Sequence, residues 1–122
     1  MKKVIHSEFA PAAIGPYSQA IETEGLIFVS GQLPVENGVM PESIADQTKA
    51  ALTNMAHILE AGGSDLSKVV KTKVLLKDMN DFAAMNEVYA SFFTEPYPAR
   101  VCYQVSALPK NASLEIDAIA VK

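Results

Sequence analysis

The sequence predicts an α+β fold, in which a mixed or antiparallel β-sheet is backed by two α-helices. Two stretches, residues 44–61 and the residues after Asp78, repeat apolar side chains at the three- and four-residue spacing of an amphipathic helix. The other apolar stretches are shorter and either alternate or run continuously, as strands do. Because 122 residues is the usual size of one domain, we predict a single domain over residues 1–122.

The first forty residues predict three strands and two loops. The strands cover residues 3–6, 18–22 and 26–31, and the loops cover residues 10–16 and 32–41. The first loop contains two prolines, which disfavour regular structure. Gly25 predicts a hairpin turn with positive φ between the second and third strands. Asn37-Gly38 predicts a second turn.

The first helix is predicted to run from Ile44 to Ala61. Ser43 is a suitable N-cap, and Gly62-Gly63 stands where the helix should end. The apolar stripe of this helix consists of Ile44, Thr48, Ala51, Leu52, Met55, Ile58 and Leu59. The side expected to face solvent holds Asp46, Lys49, Asn54, His57 and Glu60.

The C-terminal half predicts three more strands and the second helix. The strands cover residues 69–77, 99–106 and 113–121. The first of these strands is expected to place on one face Val70, Thr72, Val74 and Leu76. The second helix is predicted to begin after Asp78 as its N-cap, with Asp81 near the positive end of the helix dipole. Its apolar stripe consists of Phe82, Met85, Tyr89 and Phe92.

Two strands are apolar on both faces, although two helices cover only one face of a sheet. These strands contain residues 26–29 and 116–121. The second face therefore needs another partner. Because the sequence predicts no third long helix, we expect another subunit to cover it.

The composition excludes several classes of function. The net charge of −4, with no basic run beyond Lys2-Lys3, disfavours nucleic acid as a partner. The single cysteine, Cys102, permits neither an intrachain disulfide nor a zinc site built on paired cysteines. The two histidines, His6 and His57, share no ligand spacing. No stretch has the length of a membrane span, and we expect a cytoplasmic protein.

The last two strands each carry a charged residue in apolar surroundings. Arg100 is expected to share its face with Cys102 and Gln104. Charged side chains in such surroundings are usually paired or used. Arg100 is therefore either half of a structural ion pair, within the chain or across a subunit contact, or a fork that binds a carboxylate. Glu115 is either the ion-pair partner of a strand lysine or of Arg100, or a general base whose pKa is raised by burial.

Segments near both ends of the chain carry a further pattern. They are Gly15-Pro16-Tyr17-Ser18-Gln19-Ala20, Pro98-Ala99-Arg100-Val101-Cys102-Tyr103-Gln104-Val105 and Leu114-Glu115-Ile116-Asp117. Together these segments resemble the RidA/YjgF family of imine deaminases, and the resemblance runs from about residue 10 to residue 121. It implies a chorismate-mutase-like domain that assembles as a homotrimer, with sites in the clefts between subunits.

The resemblance implies catalytic roles for four residues. Arg100 matches the arginine that holds the substrate carboxylate, and Glu115 matches the glutamate that activates water. Tyr17 matches the tyrosine that closes the pocket, and the main-chain carbonyl of Cys102 would help to hold the water. Apart from the resemblance, Tyr17 is expected to be a packing residue, as an isolated tyrosine usually is. Cys102 is expected to be a small buried hydrophobe and not a nucleophile, because no His or Asp stands at a spacing that suggests a catalytic triad.

Three residues are implied as further substrate contacts. They are Asn86, Ser30 and Gly31, and Arg100 and Tyr17 bind substrate as well. Asn86 lies at the edge of the apolar stripe of the second helix. A structural hydrogen bond from its side chain to a loop carbonyl would explain this asparagine nearly as well as a substrate contact. Gly31 ends a strand, where a missing side chain lets a ligand approach the backbone.

Two residues depart from the family pattern. Asp117 stands where glutamate is frequent, and Val101 stands where a small polar residue is frequent. Asp117 is given no catalytic role.

The resemblance implies hydrolysis of 2-imino acids, such as 2-iminopropanoate and 2-iminobutanoate, to 2-oxo acids and ammonia. Neither a metal nor an organic cofactor is expected. A regulator that binds a small metabolite is the alternative, and it would use Arg100 in the same way without needing Glu115. An endoribonuclease or translation inhibitor is disfavoured by the acidic net charge and by the lack of a histidine pair.

Overall fold

The computed structural model describes residues 1–122 and contains one six-stranded sheet with two α-helices. The strands are β1 (Lys3–Ile5), β2 (Ala20–Thr23), β3 (Leu26–Gln32), β4 (Val69–Leu76), β5 (Ala99–Gln104) and β6 (Leu114–Val121). The helices are α1 (Ile44–Ala61) and α2 (Phe82–Phe92), and short 3₁₀ turns precede β4, α2 and β6. The predicted α+β class, with two helices and a mixed sheet, is confirmed.

The sheet places the C-terminal strand in its interior. The strand order is β1-β2-β3-β6-β4-β5. Strands β4 and β5 are parallel, because α2 crosses between them, and every other neighbouring pair is antiparallel. Strand β6 therefore lies between β3 and β4, and β5 forms one edge of the sheet.

Both helices pack on the same face of the sheet, which we call the helix face. Strand β6 shows the division, because Leu114, Ile116, Ala118 and Ala120 are buried in the core. The alternate residues of β6 point to the other face, which we call the open face. Large side chains exposed on the open face include Phe28, Val101, Tyr103 and Val121, with exposed fractions of 39–44%.

The predicted N-cap of α1 and the predicted turns are confirmed. The Ser43 side chain accepts a hydrogen bond from the Asp46 N–H at 3.0 Å, at the start of α1. Gly25 and Gly38 both have a φ of 78° in their turns. The second helix differs from its prediction, because Asp78 caps the 3₁₀ turn through the Asn80 N–H, and α2 itself begins at Phe82.

The predicted facing was wrong for one residue of α1, Asn54, and for one residue of β4, Val70. Asn54 is buried instead of facing solvent, and its side-chain amide donates to the carbonyls of Leu33 and Val35 at 3.2 and 2.8 Å. Carbonyls of an irregular packed loop need such donors. In β4, Val69 is buried and Val70 is 46% exposed, because the pairing with β6 shifts between Val69 and Lys71. A bulge of this kind reverses the facing of the residues before it.

Candidate active site in two halves

Arg100 lies on the helix face of β5, directly beside the buried Thr72 of β4. Its Nη1 donates a hydrogen bond to the Asn86 Oδ1 of α2 at 2.6 Å. The guanidinium carbon is 5.5 Å from the centre of the Phe82 ring and 4.9 Å from that of Tyr89. No carboxylate of the chain forms an ion pair with Arg100. An ion pair within the chain therefore does not explain this arginine.

Cys102 shares the helix face with Arg100 and is partly buried. Burial raises the pKa of its thiol, and the nearby Arg100 only partly opposes this effect. The thiolate is the nucleophilic form of cysteine, so a raised pKa disfavours nucleophilic catalysis. The environment fits the small apolar residue expected from the sequence.

Glu115 lies in a cleft on the other side of the sheet, with a volume of about 540 Å³. The polar residues that line the cleft include Tyr17, Gln19, Ser30, Gln32, Lys110 and Glu115. Its apolar wall includes Pro11, Ala12, Ile14, Leu33, Val35 and Pro109. The cleft therefore combines one carboxylate and one ammonium group with a largely apolar wall.

A bulge in β3 gives the Glu115 carboxyl its space. The pairing of β3 with β6 shifts between Val29 and Gln32, so Ser30 and Gly31 form the bulge. The Ser30 Oγ donates to the Ser18 carbonyl at 2.6 Å, which fixes the bulged backbone. A Cβ at Gly31 would lie 2.7 Å from the Glu115 Cδ. A larger residue at position 31 would therefore displace the Glu115 carboxyl.

The pKa of Glu115 is raised above its ordinary value. Burial is the largest cause, the like charge of Asp117 adds to it, and Lys73 opposes both. Lys73 forms its own ion pair with Asp117, with 3.5 Å between Nζ and Oδ2. Glu115 therefore has no ion-pair partner and favours its protonated form more than an exposed glutamate does.

Two residues that line the cleft differ in whether the sequence predicted them, since Tyr17 was predicted and Lys110 was not. Tyr17 is 50% exposed, and its hydroxyl accepts a 3.4 Å hydrogen bond from the Ile14 N–H. Lys110 was not predicted to belong to the site, and its φ of 58° is unusual for a residue other than glycine. A lone lysine in a loop gives no signal that separates it from other surface lysines.

The structure brings four of the seven candidate residues together and leaves three elsewhere. Tyr17, Ser30, Gly31 and Glu115 line one cleft, whereas Arg100, Asn86 and Cys102 lie on the helix face. Strands β5 and β6 flank β4, so their axes are about 10 Å apart. Because Arg100 faces the helices and Glu115 faces the other side, the sheet itself separates the two side chains within one chain. No group of three or more His, Cys, Asp or Glu side chains is placed to bind a metal. Neither helix combines the length and the hydropathy that crossing a membrane requires.

Comparisons with known proteins identify the family. The family model described as Endoribonuclease L-PSP matches residues 7–122. The chain belongs to this family. A bovine protein named 2-iminobutanoate/2-iminopropanoate deaminase is 49% identical over all of this chain and 91% of its own length.

Solved structures agree with this assignment. The YjgF gene product of Escherichia coli matches with a TM-score of 0.94 and 43% identity over 98% of each chain. TdcF of the same organism, solved with bound serine, matches with a TM-score of 0.94 and 42% identity, again over 98% of each chain. The RidA/YjgF membership indicated by the sequence motifs is confirmed.

Proposed function

We propose that this RidA/YjgF protein hydrolyses 2-imino acids, such as 2-iminobutanoate and 2-iminopropanoate, to 2-oxo acids and ammonia. The full-length similarity to the bovine protein of that name carries the proposal. The side chains support it, because the chain retains an arginine and a glutamate that both lack an ion-pair partner. Such an arginine is free to bind a carboxylate, and such a glutamate is free to exchange a proton with water.

The reaction requires little chemical assistance, because the imine carbon is already electrophilic. The Arg100 fork holds the substrate carboxylate with two parallel hydrogen bonds. Glu115 takes a proton from a water molecule as the oxygen of that water bonds to C2 and the C=N electron pair moves to the nitrogen. Glu115 returns this proton to the nitrogen, which gives a neutral carbinolamine. Glu115 then carries the hydroxyl proton to the nitrogen in the same way, so that the C–N bond breaks and ammonia leaves as the 2-oxo group forms. Good positioning alone can lower such a barrier by roughly 7 kcal/mol.

We further propose a homotrimer, in which the Arg100 half of one subunit faces the Glu115 cleft of the next. Two observations support an assembly of this kind. The open face exposes large apolar side chains, which single domains rarely leave uncovered. The two halves of the site also lie on opposite faces of one sheet. The number of subunits, three, is taken from the family resemblance. Sedimentation equilibrium tests the assembly, and a monomer at micromolar concentration would reject it.

Turnover is tested on freshly generated 2-iminobutanoate by following ammonia and 2-oxobutanoate with and without the protein. We expect release to accelerate strongly over the spontaneous reaction. Wild-type protein that binds 2-oxobutanoate without accelerating release would instead be a metabolite-binding regulator. TdcF with bound serine shows that one relative binds an amino acid.

Mixed oligomers test the shared site. At low substrate concentration, Arg100→Ala and Glu115→Gln chains are each expected to have little activity alone, the first because it binds the carboxylate weakly and the second because it lacks the base. Unfolded together in equal amounts and refolded, they should regain activity at about a quarter of the sites, because each interface of a closed ring joins two chains drawn at random. A mixture that stays inactive, although mass spectrometry finds mixed oligomers, would place the whole site within one subunit.

A further inference from the structure

We propose that Phe82 and Tyr89 are positioning residues that fix the guanidinium plane of Arg100 for carboxylate binding. The inference deepens the proposed function and rests on it for the ligand, the carboxylate of a 2-imino or 2-oxo acid. Neither ring was predicted to serve the site, since both belonged to the apolar stripe of the second helix.

Helix α2 brings both rings to Arg100. Phe82, Asn86 and Tyr89 stand at positions i, i+4 and i+7 of α2 and so share one face of the helix. Residues seven apart lie about 10 Å apart along a helix axis. A guanidinium 5.5 Å from one ring centre and 4.9 Å from the other therefore contacts both rings at once. The Asn86 hydrogen bond then fixes its rotation.

The Tyr89 ring is itself held in place. Its hydroxyl shares a buried 2.7 Å hydrogen bond with the Thr72 Oγ1, and Thr72 is the register partner of Arg100 in β4. Its ring also packs against Phe93, with ring centres 4.6 Å apart. Strand β4 and helix α2 thus fix this ring together, and the ring limits where the Arg100 side chain can lie.

The charge and the available hydrogen-bond donors of Arg100 suit the same role. Arg100 is partly buried without a counterion, and aromatic faces attract a cation in such surroundings. The guanidinium has five N–H donors, and Asn86 occupies one of those on Nη1. The edge formed by Nε and Nη2 stays available for the two oxygens of a carboxylate. Two flanking rings would keep that edge oriented before the ligand arrives, which reduces the entropy lost on binding.

The first experiment needs no ligand. Arg100 is the only arginine of the chain, so the protein gives a single arginine Nε–H resonance. We expect this resonance to be shifted by the ring currents and to move toward the value of free arginine in Phe82→Leu and in Tyr89→Leu. Phe9→Leu is the matched control, because Phe9 is exposed and contacts His57 instead. An unshifted resonance in the wild type, or one unmoved in both variants, would overturn the proposal.

The second experiment separates positioning from general packing. Calorimetry compares 2-oxobutanoate with its neutral amide, 2-oxobutanamide. Phe82→Leu should weaken binding of the carboxylate by about tenfold, within the range of a partly desolvated cation–π contact, and change binding of the amide little. Tyr89→Phe keeps the ring and should bind the carboxylate nearly as the wild type does. Equal losses for both ligands would show a merely structural role and overturn the proposal.

The two experiments also separate this inference from the proposed function. Wild-type protein that fails to hydrolyse 2-iminobutanoate would reject the function. The arginine resonance would still report whether the rings hold the guanidinium. A shifted resonance with normal turnover in both leucine variants would show that the rings hold Arg100 without serving the reaction, and would overturn the proposal.

Discussion

The surroundings of Arg100 stabilise its charge, whereas the surroundings of Glu115 destabilise its charge. Two aromatic faces and a neutral amide oxygen surround Arg100, and all three favour its positive charge. Burial and the neighbouring Asp117 act against the negative charge of Glu115 and raise its pKa. Neither residue has an ion-pair partner, but only Glu115 is placed to change its protonation readily.

This difference matches the two tasks in the proposed reaction. A carboxylate clamp must stay charged, and an arginine side chain does so at any pH at which proteins fold. A general base works best when its pKa approaches the working pH, so the unfavourable surroundings of Glu115 assist its role. The comparison predicts that changes to the two halves should have separable effects on binding and on turnover.

The largest effect is expected from Glu115→Gln. The amide keeps the size of the side chain but cannot accept the proton from water, so kcat should fall by about 10²–10⁴-fold. Binding of 2-oxobutanoate should survive. Turnover on 2-iminobutanoate and calorimetry measure the two quantities. Full activity in this variant would leave Arg100 and enclosure of the substrate as the whole mechanism.

Arg100→Ala should act on binding instead. Removing a charged hydrogen-bond partner costs roughly 1.5–3 kcal/mol, which is about 10- to 100-fold in Kd for 2-oxobutanoate. Arg100→Lys should restore little, because an ammonium lacks the planar fork. Circular dichroism checks that both variants fold. Binding as tight as in the wild type, from a folded Arg100→Ala protein, would contradict the clamp.

Gly31→Ala should displace the Glu115 carboxyl without unfolding the protein. The added methyl meets the far end of a flexible side chain, which can move away at little cost in stability. A displaced base aims water poorly, and we expect a loss of about tenfold in kcat. Thermal melting beside turnover tests this. A large fall in melting temperature would show that the bulge serves stability rather than the site.

Asp117→Asn should shift the pH dependence of turnover. A base acts in its ionised form, so the raised pKa of Glu115 places the acid limb of kcat/KM above the ordinary range of a glutamate. Neutralising Asp117 removes one cause that raises this pKa and frees Lys73, which lowers it. The limb should therefore move to lower pH. A limb that stays in place would assign the titration to another group.

The smallest effect is expected from Cys102→Ser. The buried thiol has a raised pKa, and the role assigned by resemblance belongs to its main-chain carbonyl. Turnover should therefore stay within about threefold of wild type, since a conservative exchange at a partly buried site usually has a small effect. An inactive variant that folds and binds 2-oxobutanoate normally would indicate thiol chemistry.

The sequence by itself determined the features that depend on near neighbours along the chain. The spacing of apolar residues and the Ser43 cap fixed the extent of α1, because both act within a turn or two of helix. The turns at Gly25 and Gly38 required positive φ, which glycine adopts freely. Arg100 and Glu115 stood out because charge in an apolar strand needs an explanation.

Only the tertiary structure decided which face each residue occupies and what meets it there. The bulges in β3 and β4 arise from pairing with β6, which is distant in sequence, so the place of Gly31 beside Glu115 could not be predicted. Alternation within a strand shows which residues share a face but not which face the helices cover. The pairing registers of β5 and β6 with β4 put Arg100 on the helix face, under α2, and Glu115 on the opposite face.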